Sequence, residues 1–406
     1  MPDFARSDDP AVQAQLDRLA LLSPGGDTLG LDRITRLLER LGRPQDALPP
    51  VFHVAGTNGK GSTCAFLRAA LEASGRTVHM FTSPHLVRFN ERIRIAGKLI
   101  EDRYLAALLA EVLDAGDDIE ASFFEVTTAV AFLAFAKAPA DAAIIEVGLG
   151  GRLDATNVVE HPLVTGIAAL GIDHQQFLGA SLAEIAGEKA GIAKRGVPLV
   201  VLAQPAEAKE AILRVAEERG APVLLEGRDW ALDETLRPGL LGKHQVRNAN
   251  LAWQMLAAQD RLPVGRAGFL SGIADARWPA RFQKLSAGPL AGTVETWLDG
   301  AHNVEAARAL ADTLEKRGPM HIVLGVLANK DAEAIVGILA PHALSLTFVP
   351  VPDHAHHDPE PLAERFGGRA AATLPDALDP LPGPRLIAGS LYLAGEALRL
   401  NEQLPD

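Results

Sequence analysis

The segment 55–63, AGTNGKGST, joins the short apolar run 51–55 to the helix-forming stretch 63–73. A glycine turn between a strand and a helix presents backbone N–H groups and the positive end of the helix, which together cradle phosphate. Lys60 is placed to reach β and γ phosphates. Thr57, Asn58, Gly59 and Gly61 supply the surrounding backbone, and the hydroxyl of Ser62 or Thr63 can hold Mg²⁺. The spacing departs from the general phosphate-loop pattern G-x-x-x-x-G-K-[ST], which would put glycine at Val54 and a hydroxyl where Gly61 stands. A glycine turn with no ligand is the bland alternative.

Other residues with chemical potential lie further on. Glu146 ends a second apolar run just before a glycine turn. Its carboxylate therefore emerges at the C-terminal edge of a sheet, where α/β proteins place ligands, as a hard oxygen donor suited to Mg²⁺. By residue type alone His174 reads as a polar or core histidine, Lys189 as a solvated lysine in a helix over 181–193, and Asp299 as a helix N-cap. His354, His356 and His357 stand at metal-like spacing, but in a loop with Pro and Asp that offers no fixed geometry. Cys64 reads as a packed small side chain.

These residues need elements to position them. Leu31, Ile34, Leu37, Leu38 and Leu41 recur at helical spacing, giving an amphipathic helix over 29–41. Apolar runs at 51–55, 77–81, 142–147, 164–169 and 198–202 alternate with helix-forming stretches. That alternation predicts an α/β fold with a P-loop ATPase-type, doubly wound, mostly parallel sheet. Arg277, Trp278, Pro279 and Arg281 interrupt the pattern. Beyond them the runs 292–298, 320–326, 345–351 and 385–388 alternate with helices after His302, Lys330, Pro359 and Ser390, predicting a smaller Rossmann-like α/β domain. The expected division is 1–280, a linker at 281–284, and 285–406, and 406 residues suit two cores better than one.

The totals exclude several classes. A formal net charge of −12 argues against bulk electrostatic binding of nucleic acid, so anionic ligands would have to be held by local cations and metal. The longest apolar run, near 126–136, is too short for a membrane span. The N-terminus carries Asp3, Asp8 and Asp9 and no apolar core, so it reads as neither a signal nor a transit peptide. A single cysteine excludes an intrachain disulfide and fits a reducing compartment, with the cytoplasm as the expected location.

TNGKG is the form this loop takes in folylpolyglutamate synthases, and the chain resembles the folylpolyglutamate synthase/dihydrofolate synthase family of the Mur ligase superfamily. The likeness continues through TSPHL at 82–86, RFNERIRI at 88–95, SFFE at 122–125, EVGLGGRLDATN at 146–157 and DHQQFLG at 173–179. It runs on through EKAGI at 188–192, HQVRNA at 244–249, RWPARFQ at 277–283, DGAHN at 299–303 and GSLYL at 389–393. The resemblance implies an ATP- and Mg²⁺-dependent amide ligase that adds L-glutamate to dihydropteroate, to tetrahydrofolate, or to both. The substrate carboxylate would attack the γ-phosphate of ATP, and the glutamate amine would displace phosphate from the acyl phosphate. Positioning and electrostatics would then carry catalysis, with no protein nucleophile.

The same resemblance implies site residues. Ser83, Glu146 and His174 would bind magnesium. Lys189 would be carbamylated by CO₂ and would hold or orient a second ion, which requires a lysine of lowered pKa. Asn248 would contact adenine, Arg281 the phosphates, and Asp299 with His302 the nucleotide from the second domain, which would close over ATP to exclude water. For the pterin-bearing substrate the implied segments are Thr28, Leu29 and Gly30; Ser122, Phe123, Phe124 and Glu125; and Leu153, Asp154 and Ala155. Phe123 and Phe124 could stack on a flat heterocycle, although aromatic pairs also serve as core, and Thr28 replaces the acidic residue associated with that loop.

Small-molecule substrates and a monomer are the family expectation, with neither nucleic acid nor membrane as partner. A Mur ligase acting on a nucleotide-linked precursor is the competing enzyme reading. It is disfavoured because only about fifty residues precede the loop, where such an enzyme carries a further domain. A nucleotide-dependent switch is the competing non-enzyme reading, and it leaves SFFE, EKAGI and DGAHN without a common purpose.

Overall fold

The computed structural model describes residues 5–22 and 29–406. Contacts divide the chain into two units, one comprising Met1–Pro238 and Val246–Ala276, the other Gly239–Gln245 and Arg277–Asp406.

Among the described residues the first unit is built on eight strands: β1 (Val51–Ala55), β2 (Val78–Phe81), β3 (Ile93–Ile95), β4 (Lys98–Leu99), β5 (Ala142–Glu146), β6 (Val164–Ile167), β7 (Leu199–Val201) and β8 (Val223–Leu225). Their order is β4-β3-β2-β5-β1-β6-β7-β8. From β2 to β8 every pairing is parallel, and only the β2–β3 and β3–β4 pairs are antiparallel. β1 and β5 are buried at every residue, as expected of strands covered by helices on both faces. The apolar run read near 126–136 belongs to helix Phe123–Ala136, which is buried from Glu125 to Phe135 and is therefore apolar all round.

Capping explains where that helix starts. Ser122 has extended backbone, its Oγ accepts from the Glu125 amide at 3.3 Å, and the Glu125 carboxylate accepts from the Ser122 amide at 2.6 Å. This reciprocal capping box satisfies two amides that the helix leaves without partners. The helix anticipated over 29–41 is observed at Asp32–Arg40, with Ile34, Leu37 and Leu38 buried.

The second unit has six strands: β9 (Gln283–Lys284), β10 (Thr296–Leu298), β11 (Met320–Leu324), β12 (Ala343–Phe348), β13 (Arg369–Ala370) and β14 (Arg385–Ala388). Their order is β13-β12-β11-β14-β10-β9, parallel except for β9 against β10. Part of the segment 281–284, read as linker, is thus strand: Lys284 pairs with Trp297 and Gln283 with Leu298. Two polar residues at a sheet edge carry no apolar alternation, so the strand leaves no period in the sequence. Among the described residues no helix is long and apolar enough to cross a membrane.

Replacing Ser122 by Ala removes one side of the capping box and should lower stability by about 1 kcal/mol, read from urea unfolding of the first unit.

Candidate active site

Strand order decides which residues meet. β2, β5, β1 and β6 lie side by side and parallel, with Phe81 paired to Ile145, Val54 to Glu146 and Ala55 to Ile167. The chain leaves their C-terminal ends together: Ser83 follows β2, Glu146 closes β5, the glycine loop follows β1, and Asp173 and His174 follow β6. From β1 the chain proceeds to one side of the sheet and from β6 to the other. The loops therefore diverge at β1, which is where open parallel sheets form their ligand crevice.

The glycine loop is pinned to the strand beside it. The amides of Thr57 and Asn58 both donate to the Ala169 carbonyl at 3.0 Å, and Thr57 Oγ bridges the Gly171 amide and carbonyl at 3.1 Å. Gly59 has φ of 91°, and a Cβ there would lie 2.4 Å from Asn248 Oδ1. Glycine is required on both counts. Asn248, anticipated at adenine, thus packs directly on the loop.

Helix Lys60–Ala73 begins at the lysine itself. Lys60 Nζ folds back to donate to the Gly56 carbonyl at 3.1 Å and the Thr57 carbonyl at 3.4 Å, and lies 3.9 Å from Glu146 Oε1. The two hydroxyls that follow differ. Thr63 Oγ donates to the Gly59 carbonyl at 2.9 Å, whereas the buried Ser62 Oγ has no hydrogen-bond partner. A buried hydroxyl left unpaired is costly, and a cation beside the phosphates would complete it. Ser62 and the buried carboxylate of Glu146 together fit a hard divalent ion.

Lys189 is buried in helix Leu182–Ala190, and its Nζ donates at 3.1 Å to the same Gly56 carbonyl that Lys60 uses. Burial, reinforced by the Lys60 cation, pulls its pKa down from 10.5 to about 7, with Asp173 and Asp154 opposing the shift. His174 has φ of 53°, and its imidazole is about half exposed, 4.0 Å from an Asp173 carboxylate oxygen. Among the described residues no three His, Cys, Asp or Glu side chains gather into a metal cluster. Ser83, Glu146 and His174 include one hydroxyl, so they would need oxygens from a bound anion to complete a magnesium shell.

The segments anticipated for the pterin also carry structural duties. Glu125 is buried, and besides capping its helix it accepts from Arg33 Nε at 2.9 Å. Phe123 stands edge-on to Phe89, with the Arg92 guanidinium 5.3 Å from its ring centre. The Phe124 ring lies on Gly148, where a Cβ would come within 2.3 Å of it. Asp154 is buried and accepts from the Leu149 amide at 2.8 Å and the Thr156 amide at 3.0 Å, so it closes the loop that contains Leu153 and Ala155. Leu29 and Gly30 are half-buried and outside regular structure, and Thr28 lies outside the described residues. Sequence reading passed over Arg33, Arg92, His53 and Thr156. For His53 the signal was present as a histidine inside an otherwise apolar strand run.

In the second unit Asp299 directly follows β10 and is buried, accepting from the Phe282 amide at 2.7 Å and the Ala301 amide at 2.8 Å. Burial pushes its pKa up while Arg281 opposes this. The cap of helix Val304–Arg317 is Asn303, so Asp299 does not serve the N-cap role its position suggested. His302 Nδ1 is 2.8 Å from the Gly300 carbonyl. His354, His356 and His357 each direct a ring nitrogen at a backbone carbonyl, at 2.8, 2.7 and 2.9 Å, which ties loops together.

Comparison with known proteins supplies the family. The chain is 38% identical over 352 residues to the dihydrofolate synthase/folylpolyglutamate synthase of Bacillus subtilis, covering 79% of this chain and 80% of that protein. It belongs to the dihydrofolate synthase/folylpolyglutamate synthase family. E. coli FolC in complex with DHPP and ADP superposes with a TM-score of 0.88 at 31% identity, covering 96% of this chain and 97% of that one. A bifunctional folylpolyglutamate synthase/dihydrofolate synthase with Mn, AMPPNP and L-glutamate bound superposes at 0.85 and 30% identity, covering 97% and 99%. No family model matches the chain. The Mur ligase-type α/β fold read from the ordered motifs therefore holds for this member of the family.

Gly59→Ala should weaken ADP binding by more than about tenfold, because it strains a left-handed backbone and drives a methyl into Asn248. Isothermal titration against wild-type protein checks this, and unchanged affinity would show that the loop conformation does not matter to nucleotide.

Proposed function

We infer that this chain is an ATP-dependent ligase that adds L-glutamate to dihydropteroate and to tetrahydrofolate through an acyl phosphate. The observation that carries this reading is the convergence of Lys60 and Lys189 on the Gly56 carbonyl, beside Glu146, in a member of this family. Lys60 keeps a cation beside the loop amides for a polyphosphate to neutralise, while Lys189, its pKa lowered by burial, is free to act in its neutral form. The amides of loop 56–61 and Lys60 would hold the β and γ phosphates, and Asn248 would border the base. Ser62, Ser83, Glu146 and His174 would hold magnesium, which when bound supplies charge neutralisation as phosphoryl transfer proceeds. Phe123, Phe124 and the loop around Leu153, Asp154 and Ala155 would receive the pterin-bearing acid. Leu29 and Gly30 would border it, with Ser122 and Glu125 fixing the helix end.

We assign ATP and pterin to residues 1–280 and glutamate to 285–406, with further nucleotide contacts from Arg281 in the segment 281–284 and from Asp299 and His302 beyond it. The reaction is placed in the cytoplasm, in keeping with the single, buried and free Cys64, and in a monomer.

Lys189 is proposed to carry a CO₂-derived carbamate and so to present an oxygen to a second magnesium. Carbamate formation joins a neutral amine to CO₂ and releases a proton, so it needs an amine that is deprotonated near neutrality. A pKa of about 7 provides that condition. In protein equilibrated with ¹³C-bicarbonate, a carbamate carbon resonance should be present at pH 8, should decline as pH falls through about 7, and should be missing from Lys189→Met. An unchanged signal in that variant would remove the assignment.

The activity itself is tested by ADP release with Mg·ATP and L-glutamate, in parallel with dihydropteroate, tetrahydrofolate and no acceptor. Turnover with both acceptors is expected. Turnover with tetrahydrofolate alone would restrict the enzyme to polyglutamylation, and failure with both, from folded ATP-binding protein, would overturn the folate assignment.

A further inference from the structure

His53 and Thr156 have no role in the ligation reading given above, yet they form a buried polar chain that ends on Asp154. His53 lies in the middle of β1, paired with Ile145 of β5 on one side and Thr165 of β6 on the other, and is wholly buried. An imidazole in the central strand of a parallel sheet gives up its hydration, and here its Nδ1 has no hydrogen-bond partner. Burial first, and the nearby Lys194 cation second, keep the ring neutral.

A neutral ring carries one N–H, and the neighbouring groups decide where it sits. Thr156 Oγ donates its proton to Asp154 Oδ1, so towards His53 Nε2, 2.8 Å away, it can only accept. The proton is thereby fixed on Nε2 and Nδ1 is left bare. The unpaired nitrogen is the consequence of a directed chain, from Nε2–H to the threonine hydroxyl to the aspartate.

The far end of the chain lies in a loop that is fixed both to itself and to a neighbouring helix. Asp154 holds the Leu149 amide, one residue from the glycine on which Phe124 rests. Asn157, in the same loop, donates to the carbonyls of Arg152 at 2.9 Å and Gly191 at 3.1 Å, and Gly191 ends the helix that bears Lys189. At its near end the chain starts three residues before Gly56, in the strand that delivers the glycine loop.

We propose that His53 and Thr156 are positioning residues for the acceptor, acting through Asp154 to hold loop 148–155 and Phe124 in the arrangement that receives the pterin-bearing acid. This rests on the ligase reading given above. Thr156→Val keeps the shape of the side chain and deletes the hydroxyl, while Thr156→Ser keeps the hydroxyl. His53→Leu deletes the N–H, while His53→Gln returns one near the Nε2 position.

The Val and Leu variants should raise KM for dihydropteroate by about tenfold while leaving KM for ATP within about twofold, and the Ser and Gln variants should recover most of the loss. In the full-length protein labelled with ¹⁵N-histidine, His53 should show the neutral Nε2–H tautomer. Parallel rises in KM for both substrates, a Val variant no worse than the Ser variant, or an Nδ1–H tautomer would each overturn the proposal. If His53→Leu does not fold, the Thr156 pair decides the matter. Should the wild-type protein turn over neither acceptor, the ligase reading fails and the tautomer still tests the chain.

Discussion

One carbonyl oxygen organises the first unit's crevice. Gly56 offers it to the ammonium of Lys60, at the head of the helix after the loop, and to that of Lys189, from a helix more than a hundred residues later. The residue that offers it is itself tightly packed, since a Cβ on Gly56 would lie 2.9 Å from that of Ala168. Two like charges held together are unfavourable, and part of that repulsion is relieved by the depressed pKa of Lys189. Lys60 is then the cation of the pair, with the Glu146 carboxylate 3.9 Å from it.

The groups around this point are held by backbone as much as by side chains. Ala169 receives two amides of the glycine loop, and Glu188 receives the Arg152 amide at 2.8 Å. Gly151 packs so closely on Lys189 that a Cβ would be 2.7 Å from its carbonyl oxygen. The loops after β1, β5 and β6 therefore brace one another, and a side chain can be exchanged in one of them only if the neighbouring backbone still fits.

Much of this was legible in the sequence, for reasons that differ by element. Long apolar runs such as 51–55 and 142–147 announced central strands because both faces are buried, and the runs 292–298, 320–326, 345–351 and 385–388 announced a second core. The strands Ile93–Ile95, Lys98–Leu99 and Arg369–Ala370 left no comparable trace, since two or three residues rich in Lys and Arg are too short to show a period. Ordered motifs led to the family and the glycine loop. They did not reveal that Ser122 and Glu125 close a capping box, that Asn303 displaces Asp299 as cap, or that Thr63 spends its hydroxyl on Gly59. Those are questions of which oxygen reaches which amide, and residue type leaves them open.

The short edge strands bear on how the molecule behaves among other molecules. β4, β9 and β13 are each two residues long, each ends a sheet, and each includes a lysine or arginine: Lys98, Lys284 and Arg369. An exposed strand is a template on which another chain can continue the ladder, and a two-residue template carrying a cation is a poor one. Three of the four sheet margins are thus built against intermolecular strand addition, which disfavours aggregation of the folded protein at high concentration.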